Sequence, residues 1–590
     1  MWDDSPVDVS TEVNFIWSIA NKLRGTYQSD KYKDVIIPMV IIRRFECALA
    51  PTKAKVVETY KANPGYPAKA MYRLSGFQFY NTSEFDLAEL VNDSDHLAAN
   101  FKAYIQGFSA NIQDIIRSLD FDKQIDKMDK NNRLLSVVKA FSELDLNPRT
   151  IDNVKMGYIF EDLIRKFSEN AEAGDHYTGR DIIKLMVNIL LAEGCDDIFD
   201  DGKVITVLDQ ACGTGGMLST SYNFIKRYNP SADVRLFGQE INPESYAICL
   251  AEMMIKGQNA ENICYQDTMK ADRFENTKMR FVIENPPFGT PWGGKDAAEG
   301  VEAAVQEEYK KGFDGRWGAG LPGSGDMQML FLQSAIDKMD DNFGRAAIIE
   351  NGSPLFSGGT SSGESQIRRW MLENDLIEAI IALPVDLFYN TGIATYIWII
   401  TKDKPSAHIG KVQLIDASKC YESRRKSIGN KRVDITEACR ELIVRAYGEY
   451  RDQTYERELE SGAKLVCKSR VLDSVALGYN KITVESPLLD EDGKKVLKKG
   501  KPVADPKKRD TENVPLDEDI DAYFAREVLP YNPDAWIDKS KTKVGYEIPF
   551  TRTFYEYKEV EPADQIAKRI EEHERALMQK LHDLFGKDGE

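Results

Sequence analysis

Two short stretches of this chain bring together residue types that do chemistry. The first is Val207-Leu208-Asp209-Gln210-Ala211-Cys212-Gly213-Thr214-Gly215-Gly216, an apolar strand running into an acid and then a glycine-rich turn that opens a helix. Glycines there let the backbone turn tightly and approach a ligand closely. The spacing is not a dinucleotide fingerprint, because G-x-G-x-x-G would need glycine where Leu218 stands, and no Gly-Lys-Ser/Thr follows for a P-loop. An acid before the loop suits a cationic ligand better than a pyrophosphate. Glu240, ending the next strand, is placed to accept ribose hydroxyls. On its own, the loop reads either as a nucleoside-cofactor site or as a structural turn.

The second stretch is Asn285-Pro286-Pro287-Phe288, after the apolar run Phe281–Ile283. It falls at the carboxyl edge, where open α/β sheets bind ligands. Two prolines stiffen the backbone, so a side-chain amide and a carbonyl are held at fixed geometry. That suits a planar NH2 group, with one hydrogen accepted by Asn285 Oδ1 and the other by the Pro286 carbonyl, and with Phe288 as a stacking face. Alone, these four residues read equally as a tight turn. After a glycine-rich loop in the same sheet, they read as an amine-binding site.

The elements that must position both stretches follow from the hydrophobic pattern. Residues 1–150 read as helical, with Phe15, Ile16, Ile19 and Leu23 at helical spacing and a second helix through Val35–Cys47, where Pro38 marks a start or kink. From 151 a helix through Tyr158–Phe167 precedes apolar runs at Val204–Asp209, Val234–Glu240, Phe281–Ile283, Ala346–Glu350, Ala379–Leu383 and Thr395–Thr401. Strands alternating with helices predict a parallel sheet covered on both faces, through about residue 480. Gly289–Gly325 reads as one long loop. Residues 481–561 form a Lys-rich extension whose Lys494–Arg509 segment predicts an exposed hairpin or loop. Residues 562–590 predict a helix with Ile566, Ile570, Leu577, Leu581 and Leu584 on one stripe, which His573 interrupts.

Composition narrows the class. The 590 residues, 42% hydrophobic, supply several cores. The net charge of −18 excludes binding nucleic acid by bulk charge, so affinity for phosphate has to come from a concentrated patch or a partner. Eight scattered cysteines without C-x-x-C and five dispersed histidines give no metal or disulfide framework. The first residues lack a signal-peptide pattern, and Val35–Ile42 and Ile393–Ile400 are far shorter than the roughly 20 residues of a membrane span. A soluble, cytoplasmic protein is expected, with no membrane partner.

Asp209–Gly216 together with Asn285–Phe288 resembles the adenine-N6 DNA methyltransferases that use S-adenosylmethionine. Asp175-His176-Tyr177-Thr178-Gly179-Arg180 resembles the first cofactor segment of the modification subunit of type I restriction–modification systems. Asp326-Met327-Gln328-Met329-Leu330-Phe331 and Leu383-Pro384-Val385-Asp386-Leu387-Phe388-Tyr389 resemble its later sheet motifs, and Leu23-Arg24-Gly25 through Ile42-Arg43-Arg44-Phe45 its helical domain. The chain departs from that family at Gly179, Gln210 and Glu350, where proline is usual, and at Met217, where phenylalanine is common.

The resemblance implies an α/β fold: a Rossmann-like S-adenosylmethionine-dependent methyltransferase sheet, with a helical N-terminal domain and a C-terminal helical tail. It implies that Asp175, His176, Tyr177, Thr178, Gly179, Arg180, Asp209, Gly213, Thr214, Gly215, Gly216, Glu240 and Asp267 hold the cofactor, and that Asn285, Pro286 and Phe288 act on a flipped adenine. Its partners would be duplex DNA, a specificity subunit that reads the bases and docks on the C-terminal helix, and a nuclease-translocase restriction subunit. A protein glutamine methyltransferase would use the same N-P-P motif, because an amide NH2 presents similar donors, but it lacks the upstream segment and the helical flanks. The residues also admit a non-catalytic cofactor-binding scaffold, in which the sheet is vestigial, and a nicotinamide oxidoreductase, which the missing G-x-G-x-x-G disfavours.

Overall fold

The computed structural model describes residues 7–168, 178–192, 195–556 and 561–585. The chain divides after Ile548 into two compact units. Residues 7–150 carry helices and no extended strand, as their spacing predicts. The longest helix of this region, Lys33–Leu49, runs through Pro38 without stopping and is buried along nearly its whole length. Its Arg44 is buried and donates to the Leu146 and Ile151 carbonyls at 2.7 Å and to Asn153 Oδ1 at 2.9 Å. One guanidinium thereby ties the helical region to the helix Asn153–Ser168, which leads towards the sheet.

The strands are β1 (Val204–Asp209), β2 (Asp233–Glu240), β3 (Ile263–Tyr265), β4 (Phe281–Glu284), β5 (Arg345–Asn351), β6 (Ile377–Ala382), β7 (Thr395–Thr401), β8 (Lys411–Lys419), β9 (Glu422–Ile428), β10 (Lys431–Asp434), β11 (Gln453–Glu458) and β12 (Lys464–Asp473). Ten of them form one sheet in the order β11-β12-β8-β6-β7-β5-β4-β1-β2-β3, and β9 and β10 form a separate hairpin. The chain steps outward from β1 through β2 to β3, then returns to β4 on the other side of β1. Strand order therefore reverses between β1 and β4, which opens a crevice at their carboxyl ends.

The sheet is mixed rather than wholly parallel. β7 lies antiparallel between β5 and β6, and β11 and β12 add an antiparallel edge. The reason is local: the connection from Ala382 to Thr395 carries no helix, and a parallel return needs a crossover of a dozen or more residues, usually helical. Gly289–Gly325 also differs from a plain loop. It contains the helix Val301–Tyr309, and Trp292 and Trp317 pack with Val301, Val305, Leu330 and Phe331 into a small core of their own.

Beyond the large sheet, β13 (Gly478–Glu485) anchors a small antiparallel sheet with Asp510–Pro515, Trp536–Ile537 and Lys543–Tyr546. Within Lys494–Arg509, Leu497–Lys498 pairs with Lys501–Pro502 as an exposed hairpin. The second unit carries the helix Ala563–Phe585, whose Ile566, Ile570, Leu577, Leu581 and Leu584 are all exposed. Among the described residues no helix is long and apolar enough to cross a membrane, and no group of His, Cys, Asp and Glu could hold a metal.

A buried ionic knot fixes the far half of the sheet. The Arg345 guanidinium on β5 donates to Glu378 on β6 at 2.7 Å and to the Tyr447 hydroxyl at 2.7 Å, and that hydroxyl donates to Glu378 at 2.7 Å. Burial alone would raise the Glu378 carboxyl, but Arg345 and the groups that hydrogen-bond to it hold it at about 2. Because the folded value lies below the ordinary one, this stabilisation is present above about pH 4.5 and is lost as the pH falls towards 2. Glu378→Ala is expected to destabilise the chain by about 3–5 kcal/mol at neutral pH, since it strands a buried guanidinium. Urea denaturation at pH 7 measures that loss, and the same titration at falling pH should show a smaller acid-induced decline in the variant.

Candidate active site

The glycine loop owes its shape to two residues in left-handed conformation, Gly213 (φ +51°) and Gly215 (φ +83°). Gly215 caps the helix Gly216–Tyr228, and a Cβ on it would stand 2.7 Å from Cys249 Sγ, so both backbone and packing require glycine. The turn is pinned to β2. Cys212 N donates to the Gln239 carbonyl at 3.0 Å, and Glu240 accepts from Gly213 N at 2.8 Å and from Asn242 N at 2.6 Å. The carboxylate that ends β2 thus shapes the loop that follows β1.

Over this loop lies a cavity of about 670 Å³, within the range of small-molecule sites. Asp209–Thr214, Gly216, Glu240 and Asp267 form its glycine-loop wall, and Asn285, Pro287, Thr290, Val301, Met327 and Phe331 line it as well. The helical N-terminal region closes it with Lys33 and Ile37, and Lys33 pairs with Glu244 at 2.9 Å. Of the residues expected at the site, Thr178, Asp209, Gly213, Thr214, Gly216, Glu240, Asp267 and Asn285 line this one cavity. Gly179, Arg180, Gly215 and Pro286 stand outside the lining, Arg180 stacking on Tyr158 at 3.6 Å. Phe288, expected as a stacking face, is half-buried against the main core and also outside the lining. Asp175, His176 and Tyr177 lie outside the described residues.

The reactive geometry centres on Asn285. It is 9% exposed, and its Nδ2 donates to Thr178 Oγ1 at 2.8 Å. In this orientation Oδ1, buried and without a protein partner, is left as an open acceptor. The bond spans more than a hundred residues of sequence, so no local pattern reveals it. Thr178 thus braces Asn285 as well as lining the cavity. Asp326 braces the turn from behind, accepting from Gly289 N at 3.3 Å and Gln328 N at 3.2 Å, while Gln328 Oε1 accepts from Asn351 N at 2.8 Å at the end of β5.

Around the turn lie acids whose carboxyls are raised by burial. Desolvation pushes Asp209 up to about 8 and raises Glu284 and Glu350 well above the carboxylate range. Glu284 accepts from Gln210 N at 3.3 Å, whereas both Glu350 oxygens are buried without a protein partner.

Comparison with known proteins agrees with this geometry. The model of the N-6 DNA methylase family matches residues 152–486, and that of the HsdM N-terminal domain matches residues 13–141. Two methylase subunits of Methanocaldococcus jannaschii type I restriction enzymes are similar to the chain. MjaIX is 24% identical over 70% of this chain and 74% of its own length, and MjaVII is 28% identical over 67% and 68%. The crystal structure of a type I restriction–modification methyltransferase subunit from Streptococcus thermophilus shares the fold, with a TM-score of 0.61 at 21% identity over 79% of this chain and 96% of that one. With more than half its length matched by one family model, and with the second model covering the helical region, the chain belongs to the N-6 DNA methylase family, as an adenine-specific DNA methyltransferase of the type I restriction–modification kind.

Proposed function

We propose that the cavity binds S-adenosylmethionine on the glycine-loop side and a flipped adenine on the Asn285 side, and that Asn285 is the residue that activates the amine. The open Oδ1 of Asn285 carries this reading. When bound, S-adenosylmethionine supplies a methyl group on a sulfonium, a leaving group that needs no acid. Glu240 suits its ribose end, Asp209 lines the same wall, and Gly213, Thr214 and Gly216 give its backbone-close seat. On the other side, Asn285 Oδ1 and the Pro286 carbonyl accept the two N6 hydrogens. Adenine's exocyclic lone pair is delocalised into the ring, and those two bonds favour a more tetrahedral nitrogen with the lone pair directed at the methyl group. Preorganised polar contacts of this kind are typically worth about 10²–10³ in rate. The base has to leave the duplex first, at a cost of a few kcal/mol.

The glutamine-methyltransferase, scaffold and oxidoreductase readings have no feature in their favour that the adenine reading lacks. In this account the substrate is duplex DNA in the cytoplasm, bases are read by a specificity subunit, and a restriction subunit completes the assembly. Asp175, His176 and Tyr177 would extend the cofactor seat.

Asn285→Ala is expected to lower methyl transfer by at least about 10²-fold while cofactor affinity stays within a few-fold. A labelled-methyl assay on the intact assembly, paired with calorimetry of cofactor binding, decides; transfer within tenfold of the parent contradicts the role. The exposed stripe of Ala563–Phe585 is proposed as the specificity-subunit dock, since a few Ile and Leu side chains at roughly 25 cal/mol per Å² supply several kcal/mol before association costs. Deletion from Pro562 should weaken assembly and DNA methylation and leave cofactor affinity unchanged. A truncated chain that melts lower but binds its partner normally overturns that assignment.

A further inference from the structure

A chain of net charge −18 that acts on DNA needs its cations concentrated near the reacting base. The β9–β10 hairpin is such a concentration. Residues 422–434 hold five Lys or Arg (Arg424, Arg425, Lys426, Lys431, Arg432) and two acids, Glu422 and Asp434. Two of the five are used internally. Arg424 pairs with both Asp434 oxygens at 2.5 and 2.7 Å, and the buried Lys431 pairs with Asp181 at 2.8 Å and donates to the Leu387 carbonyl at 2.9 Å. Asp434 and Asp181 are thereby engaged by Arg424 and Lys431, and Glu422 accepts from Thr436 Oγ1 at 2.5 Å. Arg425, Lys426 and Arg432 remain exposed, with no acidic partner among the described residues.

The hairpin is fastened to the rim of the active site. Asn430 N donates to the Tyr389 carbonyl and Arg432 N to the Asp386 carbonyl, each at 2.8 Å, so β10 is clamped to the Leu383–Tyr389 segment. Asp181, which holds Lys431, opens the helix Arg180–Leu190, two residues after Gly179. A Cβ on Gly179 would meet Tyr389 at 3.6 Å and Lys431 Nζ at 3.7 Å. Thr178, the next residue back, holds Asn285. From the open acceptor to the hairpin, every link is a direct contact.

We infer that the β9–β10 hairpin is a phosphate-gripping element that uses Arg425, Lys426 and Arg432 to hold the DNA backbone beside the flipped adenine. A flipped nucleotide stays joined to its strand on both sides, so the phosphates flanking it must cross the rim of the site. Backbone contacts of this kind fix position without reading sequence, which suits a subunit whose bases are read elsewhere. The inference rests on the reading that duplex DNA is the substrate. Internal pairing of Arg424 and Lys431 anchors the hairpin backbone, so only the three exposed side chains have to be ordered on phosphate.

The test uses the intact assembly with the triple variant Arg425→Gln/Lys426→Gln/Arg432→Gln, and a charge-preserving control, Arg425→Lys/Arg432→Lys. DNA affinity is measured against salt concentration. Each lost phosphate contact should make the slope of log K against log salt shallower by about 0.9, so the triple variant should lose about 2 to 3 of slope and about tenfold or more in affinity. The control should keep the parent slope. The KM for DNA should rise in the triple variant, with kcat at saturating DNA within threefold and an unchanged melting temperature. An unchanged slope overturns the inference. So does loss of a protein subunit from the variant assembly without a change in slope, which would make the hairpin a protein dock. Methylation by the parent assembly reports separately on the functional reading, because the slope difference is read from binding alone.

Discussion

The hydrogen bond from Asn285 Nδ2 to Thr178 Oγ1 is the constraint on which the site depends. An asparagine amide can present either its donor or its acceptor to a cavity, and only the acceptor can engage an incoming amine. The threonine hydroxyl takes up the donor side, leaving Oδ1 buried and open. In the proposed reading a substrate amine would meet that acceptor with its geometry set in advance.

The large sheet exists, in functional terms, to hold this arrangement still. Strand order reverses between β1 and β4, so the glycine loop and the Asn285 turn leave adjacent strands at the same edge. Glu240 pins the loop from one side, and Asp326 with Gln328 pins the turn from the other. Glu284 and Glu350 lie buried beside the turn, where desolvation raises both carboxyls. The helical N-terminal region reaches the same cavity through Lys33 and Ile37, so both family segments share one site.

The sequence exposes those parts of the site whose chemistry is packed into a few consecutive residues. Asp209–Gly216 and Asn285 are legible because their residue types serve little else in such order, and eight of the expected residues line one cavity. The helical N-terminus is legible because its apolar spacing is regular. What stays hidden is long-range. The Thr178–Asn285 bond joins distant segments, the antiparallel insertion of β7 depends on a connection without a helix, and the core around Trp292 and Trp317 rests on few apolar residues in a glycine-rich background. Strands β8, β11 and β12 escape notice because they continue an already complete pattern at its edge. Phe288 is half-buried against the main core and stands outside the cavity lining.

The central claim is that Thr178 sets the orientation of Asn285, and single-turnover methyl transfer by Thr178→Val and Thr178→Ser assemblies, at saturating cofactor and DNA, tests it most directly. Valine keeps the shape and removes the hydroxyl, so the amide is free to turn its donor towards the base. Loss of one such bond, worth about 1–3 kcal/mol, predicts a rate lowered by about 10- to 100-fold in Thr178→Val, with Thr178→Ser close to the parent and cofactor affinity little changed in both. A Thr178→Val rate within twofold of the parent would show that the amide needs no clamp and would contradict the account.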